Sequence, residues 1–97
     1  MIIHPEKISG TPSSGTLTLT TNIIDGIIRE ILCKPVTGST TYNIEIQNAD
    51  GLAIYDNDTL TGNLIDEVVI PATGVHTVLI TSASVDELFQ IHLVMED

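Results

Sequence analysis

Hydrophobic and polar residues alternate along several short stretches of the chain. The alternation covers residues 16–21, 41–47 and 89–95, and this period of two is typical of a half-buried β-strand, whose successive side chains point to opposite faces. In the last stretch Phe89, Ile91, Leu93 and Met95 share one face, so the register of that strand is strongly specified. The same pattern predicts that Ile46 and Ile91 point into the core.

Short polar segments separate these strands and predict turns. They are residues 37–40 after Pro35, 48–51, 56–59 and 71–74. Asn, Asp and Gly favour them because these residues tolerate the left-handed backbone of tight turns. Gly62 and Asn63 predict a bulge or a second turn within residues 60–70. Residues 75–82 and 88–95 are predicted to form the final pair of strands.

Residues 27–34 have apolar side chains on both sides of a predicted strand. Ile27, Ile31 and Cys33 are predicted on one face, and Ile28 and Leu32 on the other. Such a strand is either central or covered by another chain. Residues 23–33 are also compatible with a helix, because the isoleucines at 24, 27, 28 and 31 follow helical spacing, but their β-branching and an internal glycine make a helix the less favoured interpretation.

Seven or eight short strands, spaced about 8–12 residues apart, predict an all-β fold. Ile, Val and Thr make up 35 of the 97 residues, and such side chains fit a pleated sheet better than a helix. We expect one antiparallel β-sandwich, immunoglobulin-like or jelly-roll-like, over residues 13–97. Residues 1–12 contain two prolines and a glycine and are predicted to form an N-terminal arm or an irregular first strand.

The charge balance narrows the possible partners. Thirteen Asp and Glu residues against three Lys and Arg residues give a formal net charge of -10. Such a chain repels nucleic acid and anionic lipid, so we expect neither as a partner. No stretch approaches the roughly 20 apolar residues that span a bilayer, and no secretory signal is visible, so a soluble product is expected. A single cysteine excludes an internal disulfide.

Clustered oxygen ligands raise the possibility of a calcium site. Asp50, Asp56 and Asp58, with Asn48 and Asn57, lie close together in the sequence, and calcium prefers such hard ligands. The spacing does not match the twelve-residue calcium loop, and Asp and Asn also stabilise turns through their own backbone. The turn interpretation is favoured, and no metal or cofactor is expected.

The histidines and the cysteine carry no recognisable metal or nucleophile motif. His4, His76 and His92 lie far apart and are expected at solvent or at an interface, with His92 pointing outward beside Gln90. If His76 and His92 lie on neighbouring strands, they form a pH-sensitive pair. Cys33 lies in an apolar segment and is expected to be buried and inert.

Two carboxylate pairs are the remaining candidates for catalysis. They are Asp66–Glu67 and Asp86–Glu87. Adjacent residues on a strand point to opposite faces and cannot cooperate as acid and base, and Asp86–Glu87 is expected in a solvated loop. Since no nucleophile elbow or phosphate-binding glycine motif occurs either, we expect no catalytic residue and no enzyme.

Two stretches resemble small β-sandwich structural proteins of tailed-bacteriophage virion gene clusters. They are TYNIEIQNADGLAIY at residues 41–55, and GVHTVLITSA with FQIHLVME at residues 74–83 and 89–96, which are similar to the closing hairpin of such proteins. The resemblance covers about residues 16–96. It implies a capsid decoration or cement protein, or a small head or tail component, working as a homo-oligomer and often a trimer. It implies no functional residue.

The leading hypothesis is therefore a non-enzymatic virion protein, made in the host cytoplasm, that decorates the phage head as a homo-oligomer, with a trimer favoured. Its partners would be itself and the major capsid protein or other virion proteins. The alternative is a carbohydrate- or receptor-binding module of a tail appendage or a cell-surface protein, with Tyr55 beside Asp56 as its exposed aromatic residue. A small hydrolase or metal-dependent enzyme is a weaker third hypothesis.

Overall fold

The structure is a computed structural model and describes residues 3–97. These residues form eight strands and no helix: β1 (Ile3–Gly10), β2 (Leu17–Thr20), β3 (Ile24–Pro35), β4 (Thr41–Gln47), β5 (Ala53–Thr61), β6 (Leu64–Gly74), β7 (Thr77–Thr81) and β8 (Phe89–Glu96). The all-β prediction is confirmed, and the helical interpretation of residues 23–33 is wrong. Among the described residues no helix is present that could cross a membrane.

The strands form two four-stranded antiparallel sheets. The first sheet has the order β1-β8-β3-β6, and the second has the order β2-β7-β4-β5. β1, in the region where an arm or an irregular first strand is predicted, pairs with β8 from Ile3 to Gly10. Residues 1–2 of that region lie outside the described residues. The predicted antiparallel β-sandwich is thereby confirmed.

The inner faces of the two sheets share one apolar core. Ile46 of the second sheet and Ile91 of the first are both 0% exposed, as predicted. The rings of Tyr42 and Phe89 pack edge to face across the core with centroids 5.0 Å apart. The Tyr42 hydroxyl donates a hydrogen bond of 2.7 Å to the carbonyl oxygen of Gly62, so the largest core side chain also anchors the turn between β5 and β6.

The central strand β3 contains a bulge that corrects the predicted faces of its isoleucines. The register changes between Ile28 and Glu30 relative to both neighbours, β8 and β6. A bulge reverses the side-chain alternation at one residue. Ile28 therefore points into the core together with Ile31 and Cys33, while Ile27 lies on the outer face. The prediction that Ile27 shares a face with Ile31 is wrong for this reason.

Residues 56–59 do not form the predicted turn, because they lie inside β5. The strand bulges opposite Asn43, between the pairs Tyr42–Leu60 and Ile44–Asn57. Thr59 has a φ of 59° there, and its amide donates a hydrogen bond of 2.8 Å to Asn43 Oδ1. An amide left without a partner strand by the bulge is thus satisfied by a side chain.

A turn at Gly62–Asn63, one of the two predicted possibilities, separates β5 from β6. Gly62 has a φ of 69°, and a Cβ atom there would lie 2.5 Å from the carbonyl oxygen of Gly38. Both facts require glycine. β6 continues through the predicted turn at residues 71–74, because Pro71 lies on an edge strand, where a missing amide hydrogen costs no ladder bond.

β7 and β8 are not the predicted hairpin, since β7 belongs to the second sheet and β8 to the first. The connection between them crosses one end of the sandwich and carries Asp86 and Glu87. Asp86 accepts hydrogen bonds from the amides of Ser14 and Gly15 at 3.0 and 2.9 Å. Glu87 accepts from the Thr37 amide at 3.0 Å, the Thr37 hydroxyl at 2.9 Å and the Thr40 hydroxyl at 2.6 Å. Each carboxylate therefore orders a different loop.

Candidate functional site

The outer face of the first sheet combines exposed apolar side chains with the cations of the chain, and we call it the first-sheet face. Its members are the outward-pointing residues that the strand register places side by side and the bulge residue Arg29. They are Ile3, Pro5, Lys7 and Ser9 of β1; Gln90, His92, Val94 and Glu96 of β8; Asp25, Ile27, Arg29, Glu30, Leu32 and Lys34 of β3; and Ile65, Glu67, Val69, Pro71 and Thr73 of β6.

Large apolar side chains are exposed on this face. Ile65 is 71% exposed, Val69 is 67% and Ile3 is 61%, and Leu32 and Val94 lie half-buried between them. Two grooves cross the face, one lined by Val69 and Val94 and the other by Leu32 and Ile65. Large apolar side chains grouped on one sheet face mark an interaction site more often than singly scattered ones do.

All three Lys and Arg side chains of the chain lie on the first-sheet face. Arg29 Nη1 is 3.2 Å from Glu96 Oε2, and this is the one salt bridge among residues 3–97. Lys34 lies beside Gln90 at one end of the face, and Lys7 lies beside His92, in the same cross-strand row as Leu32.

Two further carboxylates lie towards the other end of the same face. Glu30 lies directly opposite Glu67 on the neighbouring strand, and neither has a cationic partner in the described chain. Glu96, and Asp25 opposite Thr73 at the far end of the face, bring the carboxylates to four against three cations, so the first-sheet face carries a net charge of only -1 within a chain of net charge -10.

The outer face of the second sheet, the second-sheet face, is polar and acidic. Its outward positions include Thr18 and Thr20 of β2, Thr77, Leu79 and Thr81 of β7, Thr41, Asn43, Glu45 and Gln47 of β4, and Asp56 of β5. Desolvation and the neighbouring carboxylates of Asp58 and Glu45 raise the pKa of Asp56. No cation balances this cluster, since all three lie on the other sheet.

The residues considered for calcium are divided between two elements. Asp50 lies in the turn after β4, where Asn48 Oδ1 accepts hydrogen bonds of 3.0 Å from the amides of Asp50 and Leu52. Asp56 and Asp58 lie on β5. Within residues 3–97 no three His, Cys, Asp or Glu side chains are placed to share a metal ion. Asn48 therefore stabilises its own turn, as the favoured interpretation requires.

Tyr55 links the two sheets instead of presenting its ring to solvent. Its hydroxyl donates a hydrogen bond of 2.7 Å to Asp66 Oδ2 on β6 and accepts one of 3.1 Å from Asn57 Nδ2. Burial, followed by the hydrogen bond to Asp66, raises the pKa of Tyr55 to about 12. Since its polar tip is held between the edges of the sheets, Tyr55 is not the exposed aromatic platform that a glycan reader needs.

Cys33 is buried, as predicted, and burial raises the pKa of its thiol to about 11. A thiol with such a pKa stays protonated at neutral pH and is a poor nucleophile.

The histidines divide between inner and outer positions. His92 lies on the first-sheet face, as predicted, while His4 points to the inner side of β1. His76 is 1% exposed, so its predicted solvent or interface position is wrong. The backbone amide of His76 bonds Thr21 Oγ1 at 3.0 Å, and its ring Nδ1 lies 3.2 Å from the Gly74 carbonyl oxygen. Because β7 and β8 are in different sheets, the proposed pair of His76 with His92 does not form.

No family model matches the chain, and no curated protein does. Its fold does match solved structures. The periplasmic inhibitor of g-type lysozyme PliG from Aeromonas hydrophila is 15% identical, with a TM-score of 0.56 over 95% of this chain and 87% of that one. The pre-peptidase C-terminal domain of collagenase from Bacillus anthracis is 9% identical, with a TM-score of 0.58 over 88% of this chain and 84% of that one.

A third similar structure is the Yersinia pseudotuberculosis-derived mitogen, which is 14% identical with a TM-score of 0.57 over 99% of this chain and 89% of that one. The chain is a small β-sandwich domain. Identities this low establish the fold and nothing about activity, because one fold carries many functions.

Proposed function

We propose that this protein is a non-enzymatic structural component of a virion, a decoration or cement protein that assembles as a homo-oligomer on the phage head. The observation that carries the proposal is the exposed apolar surface of the first-sheet face, where Ile65, Val69 and Ile3 are all more than 60% exposed. Several large apolar side chains exposed on one face favour a protein partner. The resemblance of residues 16–96 to phage β-sandwich proteins supplies the virion context.

The positions of the reactive side chains support a structural role. Asp86 and Glu87 hold loops at one end of the sandwich, Asp66 holds Tyr55, and Cys33 is buried with a raised pKa. These groups are the first candidates for catalysis, and each is either buried or hydrogen-bonded in a way that stabilises the fold. The Tyr55 hydroxyl is held by Asp66, which disfavours Tyr55 as the aromatic residue of a glycan-binding role.

Co-sedimentation tests the proposal. Shells assembled from the major capsid protein of the same gene cluster are mixed with the purified chain and pelleted. We expect the chain to pellet at a fixed ratio to the capsid protein and to raise the melting temperature of the shells. A chain that stays in the supernatant at saturating concentration, or leaves shell melting unchanged, contradicts a cement role. A glycan array probed with the same preparation tests the alternative.

A further inference from the structure

We propose that the first-sheet face is the contact between two copies of this chain, related by a two-fold axis through the centre of the face near Leu32. In this arrangement the half of the face that carries the lysines in each copy lies against the half that carries the glutamates in the other. The inference deepens the proposed function by naming a partner and the surface that it contacts, and it rests on that function only in the assumption that the chain assembles with itself.

Net charge selects this face for self-association. Two copies of a chain with a charge of -10 repel each other wherever acidic surfaces meet. The second-sheet face carries the carboxylates of Glu45, Asp56 and Asp58 and no cation. On the first-sheet face three cations offset three of the four carboxylates, so it is the broad face of the sandwich on which a second copy meets the smaller excess of like charge.

The charges of the face are also separated along the strands in a self-complementary way. Lys34 lies on one side of Leu32 along the strands, with Lys7 in the row of Leu32, and Glu30 and Glu67 lie directly opposite each other on the other side. Like charges directly opposed across two strands are destabilising within one sheet. A two-fold axis brings the same face of both copies together, and with an axis that crosses the strands the half of the face that carries the lysines lies against the half of the other copy that carries the glutamates. Four unpaired charges per copy thus gain partners.

The area of the face fits a specific dimer. Four strands spaced about 4.8 Å apart, each with about eight residues of about 3.3 Å, present on the order of 500 Å². Two such faces reach the roughly 1,000 Å² that a specific interface requires. Leu32 and Val94 lie near the middle of the face, whereas Lys7 and Glu67 lie on its two edge strands, and an apolar centre with a charged rim is the usual anatomy of such contacts.

A charge-swap experiment tests the arrangement. One double variant carries Lys7→Glu and Lys34→Glu, and the other carries Glu30→Lys and Glu67→Lys. By sedimentation equilibrium the wild type is expected at twice the 10.4 kDa of a single chain, and each double variant alone at 10.4 kDa. An equimolar mixture of the two is expected to return to the dimer mass. The substituted residues of the two variants then form one set of ion pairs with reversed sense, and the unchanged residues form the other set with its native sense.

The control is a double variant with Glu45→Lys and Asp56→Lys on the second-sheet face. It changes the net charge as much as Glu30→Lys with Glu67→Lys does and is expected to remain dimeric. Circular dichroism and thermal unfolding establish that every variant is folded.

Three results overturn the proposal: a monomeric wild type, a trimer or larger species, or a mixture of the two swapped variants that stays monomeric. A monomeric wild type that still pellets with capsid shells would overturn the dimer and leave the proposed function standing. If the mixed variants form the dimer but the wild type binds no shells, the dimer stands and the proposed function is overturned.

Discussion

The outer faces of the two sheets follow the same strand alternation but carry different residues. The second-sheet face presents threonines, Asn43 and the carboxylates of Glu45 and Asp56, which water solvates well. The first-sheet face presents exposed Ile65 and Val69 and all three cations of the chain. The inner faces, by contrast, are equally apolar and form one core. The difference shows that alternation distinguishes inside from outside, while the chemistry of the outward residues distinguishes a solvated face from a contact face.

The largest effect is expected where the two sheets are alike. Ile91→Ala in the first sheet and Ile46→Ala in the second should each lower the free energy of unfolding by about 2–5 kcal/mol, because both remove buried methyl groups and leave a cavity. Urea denaturation measures the loss. The control is Ile65→Ala, made in the Lys7→Glu, Lys34→Glu variant so that no dimer contact contributes. Relative to that variant it should change the free energy of unfolding by no more than about 0.5 kcal/mol. Losses below about 1 kcal/mol for both core variants would mean that the inner faces are wrongly assigned.

A smaller effect is expected where the two sheets are tied together at their edges. Tyr55→Phe removes the hydroxyl that donates to Asp66 on β6 and should cost about 1.5 kcal/mol, the lower end for a hydrogen bond to a charged group, because the site is half-exposed. A double-mutant cycle with Asp66→Asn, followed by urea denaturation, isolates the pair. Strictly additive losses would show that this bond does not couple the sheets.

The hydrogen bonds by which Glu87 holds the loop at Thr37 and Thr40 should make stability depend on pH. Hydrogen bonds from Thr40 and Thr37 lower the pKa of Glu87 below its ordinary value of 4.5. Its stabilising contribution is therefore complete above pH 4.5 and is lost as the pH falls through the lowered folded-state value. Calorimetry should show Glu87→Gln melting below the wild type at pH 7 and approaching it in strong acid. Asp50→Asn, an exposed charge removed from a turn, is the control; an equal melting difference at all pH values would contradict this role of the Glu87 hydrogen bonds.

The smallest effect should be a gain on the second-sheet face. The pKa of Asp56 is raised, so its contribution to stability is complete below its ordinary value of 3.8 and is lost as the pH rises through the raised folded-state value. Asp56→Asn should thus melt slightly higher than the wild type at pH 7 and gain nothing at pH 3. Calorimetry at both pH values with Asp50→Asn as the control measures this. An unchanged or lower melting temperature at pH 7 would mean that repulsion between Asp56 and the neighbouring carboxylates does not destabilise the protein.

Strand identity and the buried faces of β4 and β8 could be predicted because both strands alternate without interruption. Prediction failed where one contact from elsewhere in the fold changed the local pattern. The Asp and Asn content of residues 56–59 predicts a turn. They lie in β5 instead, where Asn43 accepts the hydrogen bond of the Thr59 amide. The burial of His76 depends on Thr21, which is 55 residues away.

The sequence indicated one strand of the candidate site and not the face as a whole. Apolar residues on both sides of residues 27–34 indicate a strand that is central or covered, and β3 is central in the first sheet. The pairing that surrounds it with Val69, Ile65 and Val94 is long-range, so local periodicity does not reveal the face.

By itself the sequence determined an acidic, all-β chain with short strands, known core positions and too few cations to bind polyanions, because these properties depend on composition and on local alternation. Only the tertiary structure decided which strands share a sheet. The pairing of β1 with β8, at opposite ends of the chain, and of β8 with β3 brought Lys7, Arg29 and Lys34 onto one surface. Strand pairing is set by packing between distant segments, and so the distribution of charge between the two faces appears only in the folded protein.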